Sequence, residues 1–316
     1  MGSCGSTTEK KEATAEETAE EHPAGEHPAG EEHPSAAPTY QISLAQWSLH
    51  KAFGIRGEQT MDPMDFPSIA AGYGINSIEL VNQFYKGKAT DQAFLEDFKQ
   101  RCEAAGVSVG LIMCDGLGNL GDSDPAKRQE AVENHYQWID AAAYWGAHSI
   151  RVNAAGQGTA EELAANVVDG LSKLGEYGAS KGVNVIVENH GGLSSDGSWL
   201  AGVMKTVGMD NVGTLPDFGN FCIERNKDDW MICENEYDRY QGMKDLMPYA
   251  KGVSAKSHVF DENGNEENSD YLKIMKIVKE SGFEGYIGIE YEGNELSEDE
   301  GIKATKALLE RVFAEI

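Results

Sequence analysis

Short apolar runs alternate with longer amphipathic stretches from Gln41 to the end of the chain. Each run has four to seven residues and is rich in β-branched or small side chains, as buried parallel strands are. The eight runs are ISLAQW from Ile42, SIELV from Ser77, VSVGLIM from Val107, HSIRV from His148, NVIVE from Asn184, VGTL from Val212, GVSAK from Gly252 and YIGIE from Tyr286. The pattern therefore predicts eight buried strands.

The stretches between the runs have helical periodicity, as in DQAFLEDFKQRCEAAG. Several of them end in Gly followed by Val or Ala, which indicates a helix C-cap leading into the next strand. An open doubly wound sheet would need a Gly-x-Gly-x-x-Gly turn after the first strand, and the chain has Ala-Gln-Trp-Ser there. We therefore predict an α/β fold, a single-domain (β/α)₈ (TIM) barrel over residues 41–316, close to the ~250 residues typical of that fold.

Residues 1–40 differ from the rest of the chain because they contain almost nothing suited to a core. High charge and regular prolines predict a disordered acidic Glu/His/Pro-rich tail. The start, Met-Gly-Ser-Cys-Gly-Ser, resembles a bacterial lipoprotein after removal of its signal, or a myristoylation pattern with a palmitoylated Cys4. We expect an exported lipoprotein of the periplasm or cell envelope, tethered through Cys4, with a cytoplasmic location as the alternative. Native protein in the cytosolic fraction with Cys4 unmodified would contradict this.

The net charge and the spacing of the cysteines limit which partners and metal sites we expect. The formal net charge is −27, so the surface repels phosphate backbones and we expect no nucleic-acid partner. A homo-oligomer stays open. The chain has no Cys-x-x-Cys pair, which argues against a thiolate zinc site. Cys222 and Cys233 fall in one long predicted loop and could pair if the protein is exported.

Candidate chemistry lies where four neighbouring predicted strands end, the face on which barrel enzymes carry their active sites. The residues are Glu188 in VENHGG, Asp217 in PDFGN, His258 in AKSH and Glu290 in GIEYEG. Each alone could be a rim or structural residue, but their coincidence at successive strand ends favours a metal site. Three carboxylates and an imidazole form an oxygen-rich site for one divalent cation. We expect Mn²⁺ first, with Mg²⁺, Co²⁺ or Zn²⁺ as alternatives.

On these motifs the chain resembles the xylose isomerase-like TIM barrel family, the group usually labelled sugar phosphate isomerase/epimerase. The resemblance covers nearly everything after residue 40. It implies a cation that binds the carbonyl and a neighbouring hydroxyl of a keto sugar. It also implies that Glu188 and Glu290, on opposite sides of the metal, remove and return a proton through an enediolate. The expected function is a metal-dependent sugar isomerase or epimerase of carbohydrate metabolism.

The chain departs from ketose 3-epimerases of that family at two substrate-binding positions. They carry a His three residues after the metal-binding Asp and an Arg six residues after the metal-binding His, where this chain has Asn220 and Gly264. Lys256 and His190 share the ligand faces and could replace them, although Lys256 could equally form an internal ion pair. Trp47 could stack on a sugar or cap the core. We expect the substrate to contact Trp47, His190, Lys256 and Asn220. Further strand-end residues that could line the pocket are Asn82, Asp115, Arg151 and Asn153.

Three alternatives compete with isomerisation or epimerisation. The same enediolate, formed in a 3-keto glycoside, could expel the C1 substituent by elimination, and an exported protein would favour this lyase. A sugar-binding lipoprotein without turnover is the second alternative. Endonuclease IV shares the fold, but its three zinc ions need many histidines, and only five lie outside the tail of this acidic chain.

Overall fold

A nearly closed ring of parallel strands forms the centre of the protein. The computed structural model describes residues 1–2, 40–229 and 232–316. The strands of the ring are β1 (Gln41–Ala45), β2 (Ser77–Val81), β3 (Ser108–Met113), β4 (Ser149–Val152), β5 (Asn184–Glu188), β6 (Val212–Leu215), β9 (Val253–Ser257) and β10 (Tyr286–Tyr291). They pair in the order β6-β5-β4-β3-β2-β1-β10-β9. Parallel bridges Thr214–Ala250 and Asp217–Ser254 join β6 to the β9 side, so the predicted (β/α)₈ barrel is confirmed.

Helices surround the ring and connect its strands. They are α1 (Phe66–Gly72), α2 (Gln92–Ala105), α3 (Pro125–Trp145), α4 (Ala160–Lys181), α5 (Gly197–Val207), α6 (Arg239–Leu246), α7 (Tyr271–Glu280) and α8 (Glu298–Glu315). The predicted glycine C-caps are confirmed, because Gly106, Gly146 and Gly182 adopt the left-handed conformation after α2, α3 and α4. Thr159 and Ser297 form capping boxes at the starts of α4 and α8.

An antiparallel hairpin interrupts the alternation after β6. It consists of β7 (Cys222–Arg225) and β8 (Cys233–Glu236), in the segment where the sequence predicted a long loop. A disulfide joins Cys222 to Cys233, with 5.8 Å between their Cα atoms. The hairpin therefore begins two residues after Asn220 and is fixed covalently beside one of the predicted site positions.

The hydrophobic core has two parts. The larger part lies between the strands and the helices, and a smaller cluster contains Ala45, Val81, Leu111, Met113, Ile186 and Leu215. Among the described residues, no helix is long and apolar enough to span a membrane. The predicted tail, including Cys4, lies almost wholly outside the described residues, so its disorder and its lipid anchor stay predictions.

Two glycines inside helices test the packing. A Cβ atom at Gly170 in α4 would lie 2.2 Å from the carbonyl oxygen of Leu120, whereas exposed Gly202 in α5 has no neighbour within 4 Å. We expect Gly170→Ala to lower the free energy of unfolding by about 1–3 kcal/mol through overpacking. Gly202→Ala should raise it by up to about 1 kcal/mol through helix propensity. Denaturant unfolding measures both, and equal effects would contradict the close approach of α4 to Leu120.

Candidate metal centre and active site

Three buried carboxylates converge at the carboxyl end of the barrel. Glu188 is the last residue of β5, Asp217 follows β6 by two residues, and Glu290 lies in β10. One ligand oxygen of each lies within 4.8 Å of the others, and the side chains are 1%, 0% and 3% exposed. Since Cβ atoms alternate across a strand, the strand ends aim these side chains inward, as the sequence predicted. The group can present oxygen atoms to one cation.

The PDFGN motif folds around the carboxylate of Asp217. The backbone N–H groups of Gly219 and Asn220 donate to Asp217 Oδ1 over 2.7 and 2.9 Å. The Asn189 side chain accepts from the backbone N–H of Asp217 at 2.7 Å and donates to its carbonyl oxygen at 3.0 Å. These bonds explain why an Asn follows Glu188 and why a tight turn follows Asp217, because together they fix the carboxylate without a cationic partner on that side.

Arg151 compensates the charge of Glu188 from β4. Its Nε lies 2.8 Å from Glu188 Oε2, and its Nη1 donates to Asp115 Oδ1 over 2.7 Å. Glu188 Oε1 accepts a hydrogen bond of 3.0 Å from the Asn220 side chain, whereas Glu188 Oε2 is buried without a well-aligned donor. Although burial raises the pKa of Asp115, the adjacent guanidinium lowers it to about 2. The low pKa keeps Asp115 ionised, and therefore paired with Arg151, at neutral pH.

Lys256 compensates the charge on the opposite wall. Its Nζ donates to Glu290 Oε1 at 2.6 Å and to Glu292 Oε2 at 3.0 Å, and lies 3.7 Å from Asp217 Oδ2. Ser254 lies two residues earlier on β9, and its hydroxyl lies within hydrogen-bonding distance of Asp217 Oδ2 (2.8 Å) and Glu290 Oε2 (3.0 Å). Burial raises the pKa of Glu292, but the ammonium outweighs this and holds it well below its usual range.

Glu79 adds a further carboxyl group inside the barrel. It lies in β2, is 3% exposed, and accepts a 2.6 Å hydrogen bond from Ser43. Burial, together with the nearby Glu290 and Glu188, raises its pKa to about 8, although the hydrogen bond from Ser43 opposes the shift. A Cβ atom at residue 288 would lie 2.4 Å from Glu79 Oε1, so Gly288 leaves the space that this side chain fills. Burial also raises the pKa of Glu188 and of Asp217.

The other predicted site residues take different positions. His258 is half-buried just beyond β9, and its ring is not part of the converging group of ligands. His190 is exposed to solvent. Desolvation of its ring by neighbouring residues, and then the charge of Arg151, lower the pKa of the imidazole. Trp47 is half-buried, donates through Nε1 to Glu292, and stacks on His50 with ring centres 4.9 Å apart. Their roles as ligand or substrate contact stay predictions.

The sequence reasoning missed four residues of this region. They are Ser254, Asn189, Glu79 and Glu292, and Arg151 was expected only to line the pocket. Their strand positions carried a signal, since Glu79 and Ser254 lie in predicted strands where a polar side chain is unusual. Glu292 lies two residues after Glu290 and so on the same face of β10. Nothing in the local sequence indicated that Asn189 would pair with the backbone of Asp217.

Comparisons with known proteins bear on this geometry. A family model described as xylose isomerase-like TIM barrel matches residues 67–312. A xylose isomerase-like TIM barrel protein from Mycobacterium smegmatis in complex with magnesium is similar, with 15% identity, a TM-score of 0.64 and coverage of 87% of this chain and 97% of that one. The IOLI protein with a bound zinc atom is also similar, with 14% identity, a TM-score of 0.65 and coverage of 87% of this chain and 98% of that one. The 3-keto-D-glucoside 4-epimerase from E. coli, in its apo form, has 15% identity and a TM-score of 0.61, and the match covers 86% of this chain and 100% of that one. No curated protein matches the sequence significantly.

The raised pKa of Glu79 predicts a pH dependence of stability. Between pH 4.5, the ordinary pKa of a Glu, and about pH 8, the folded protein keeps Glu79 protonated while the unfolded chain loses this proton. The contribution of Glu79 to the free energy of unfolding is therefore lost as pH rises through that range. Glu79→Gln removes this group while keeping an acceptor for Ser43. In metal-free protein the variant should gain stability over wild type from pH 5 to pH 8, by up to about 1.4 kcal/mol per pH unit.

Urea unfolding at several pH values, with chelator present, measures this difference. Glu262→Gln, an exposed carboxylate after β9, is the matched control and should follow wild type at every pH. A Glu79→Gln curve parallel to wild type would show that Glu79 titrates normally.

Proposed function

The chain belongs to the xylose isomerase-like TIM barrel family, and from this premise we propose that it is a divalent-metal-dependent sugar isomerase or epimerase. The reaction would move a proton on the carbon next to a carbonyl through an enediolate. The observation that carries the proposal is the convergence of Glu188, Asp217 and Glu290 at the catalytic end of the barrel. Solved proteins with the same fold were crystallised with magnesium or zinc, and one similar protein is an epimerase of a keto sugar derivative.

The donor set fits a divalent cation. Six carboxyl groups surround this region, those of Glu79, Asp115, Glu188, Asp217, Glu290 and Glu292. Their cationic partners among the described residues are Arg151, Lys256 and, at the rim beside Glu292, Arg56. The acidic groups therefore outnumber their cationic partners, and Glu188 Oε2 is buried without an aligned donor. Hard oxygen donors suit Mn²⁺ first, with Mg²⁺, Co²⁺ or Zn²⁺ as alternatives. Such a cation, when bound, polarises a carbonyl and acidifies the adjacent C–H.

Glu188 and Glu290 are the proposed proton carriers. β5 and β10 are not neighbours, since β6 and β9 lie between them on one side of the ring. The two carboxylates can therefore address a substrate from different directions, as proton removal on one face and return on the other requires. Arg151 beside Glu188 and Lys256 beside Glu290 fix the orientation of each group.

A small-molecule sugar would enter through the mouth of the barrel. His190 is exposed there and Trp47 is half-buried, so we propose both as substrate contacts. Asn220 and Lys256 stay candidates for the same role, with Asn220 Nδ2 and Lys256 Nζ already hydrogen-bonded to Glu188 and Glu290. Export of the protein also stays a proposal, and the Cys222–Cys233 disulfide supports it because such bonds persist in oxidising compartments.

A lyase that eliminates the C1 substituent of 3-keto glycosides is the second candidate. The similarity to a 3-keto-D-glucoside 4-epimerase favours it, because that relative acts on the same class of keto sugar. Both reactions would begin with removal of a proton from a carbon next to the C3 carbonyl. Elimination would take it from C2 and then expel the C1 substituent, whereas epimerisation at C4 would take it from C4 and return it on the opposite face. Product analysis therefore decides between them.

Exchange in D₂O tests the proposal directly. Protein reconstituted with Mn²⁺ is incubated with ketoses and with 3-keto glycosides, and after the paramagnetic ion has been removed with chelating resin the products are analysed by NMR. We expect deuterium at the carbon beside the carbonyl. An intact skeleton identifies an isomerase or epimerase, and release of the aglycone identifies the lyase. Glu290→Gln should slow the exchange by roughly 100-fold or more, as expected for loss of a general acid–base.

Glu262→Gln, an exposed carboxylate outside the site, is the matched control and should exchange at the wild-type rate. Removal of the cation with a chelator should abolish exchange, and Mn²⁺ should restore it. Absence of exchange on every substrate, with cation bound, would contradict enolisation and favour a sugar-binding protein without turnover.

A further inference from the structure

The inward face of β9 carries Ser254 and Lys256, and His258 continues the same alternation. In the pairing of β9 with β10, Lys256 is the register partner of Glu290, and Ser257 is the partner of Tyr291. His258 therefore lies one residue beyond the last pair, level with Glu292. The side chain that β9 places at the depth of Glu290 is that of Lys256.

The ammonium of Lys256 is buried among three carboxylates. The lysine is 2% exposed, and its ammonium is 2.6 Å from Glu290, 3.0 Å from Glu292 and 3.7 Å from Asp217. Two of these three carboxylates belong to the converging group, so the ammonium is hydrogen-bonded to one proposed ligand residue, Glu290, and lies near a second, Asp217. Such a buried charge is stable only when paired with groups of opposite sign, and the three contacts supply that pairing.

The ring of His258 lies outside the converging group, and contacts with neighbouring residues fix its backbone. Its backbone N–H donates to Glu266 Oε1 over 3.2 Å, and its carbonyl oxygen lies against Gly293, where a Cβ atom would be 2.0 Å away. The side chain is half-buried, and its nitrogens are not among the ligand atoms that lie within 4.8 Å of one another.

We propose that Lys256, and not His258, is the fourth residue of the metal centre, where it positions Glu290 and does not ligate the cation. The divalent cation, which is part of the function proposed above, is then held by Glu188, Asp217 and Glu290 alone, with no nitrogen ligand from the protein. The ammonium holds Glu290 in place and repels a second positive charge nearby. The site therefore binds a divalent cation more weakly than the same carboxylates would without Lys256.

Binding of Mn²⁺ to the full chain, followed by the loss of its free-ion EPR signal, tests this. Lys256→Met removes the charge at similar length and should tighten the dissociation constant about tenfold or more, because repulsion is lost and carboxylates are released. Lys256→Arg keeps the charge and is the matched control, expected to stay near wild type. His258→Gln should change the dissociation constant less than twofold.

Pulsed EPR of the bound Mn²⁺ provides a second readout that needs no variant. Wild-type protein should show no coupling to a directly coordinated ¹⁴N nucleus. Such a coupling, lost in His258→Gln together with at least tenfold of affinity, would overturn the proposal and establish His258 as a ligand. Weaker binding in folded Lys256→Met would also overturn it. If Lys256→Met does not fold, the nitrogen coupling and His258→Gln decide.

These outcomes separate the inference from the proposed function. Wild-type protein and Lys256→Met that both fail to bind Mn²⁺, Mg²⁺, Co²⁺ or Zn²⁺ would contradict the metal centre itself, and the inference with it. Metal-dependent exchange in D₂O combined with a nitrogen ligand would leave the proposed function intact and overturn only the role of Lys256.

Discussion

The burial of several carboxylates inside one barrel is the constraint on which the rest of the site depends. An ionised carboxylate taken out of water costs several kcal/mol unless charges or donors replace its hydration. The chain supplies these partners from every side: Arg151 from β4, Lys256 from β9, and backbone N–H groups from the turn after Asp217. The motifs around the site are therefore compensation for buried negative charge as much as they are potential ligands.

The barrel fold brings these compensated carboxylates together at one end of the strands. Parallel strands end at one face, and side-chain alternation sends Glu188 and Glu290 inward from strands that are not adjacent. Glycine at position 288 leaves room for Glu79, and the disulfide-linked hairpin follows directly after Asn220, which donates to Glu188. Fold, charge compensation and proposed chemistry are thus linked through the same few strand ends.

The sequence predicted what depends on local pattern. All eight barrel strands, the glycine C-caps and three inward carboxylates could be found, because strand periodicity and cap chemistry act within a few residues. The relative positions along the barrel axis of residues on different strands could not be found from the sequence, because the pairing of the strands in the barrel sets them. The sequence places Lys256 and His258 on one face of β9, and only the register shows that Lys256 pairs with Glu290. The β7–β8 hairpin was missed for a related reason, as its short polar strands carry no hydrophobic alternation.

The central claim is that the three carboxylates share one cation. Crystals grown with Mn²⁺ and measured on both sides of the manganese absorption edge test it most directly. The account predicts one anomalous peak within about 2.5 Å of an oxygen of each of Glu188, Asp217 and Glu290, the range of oxygen ligation by such ions. No peak at this position, or a peak only on the outer surface of the protein, would contradict it.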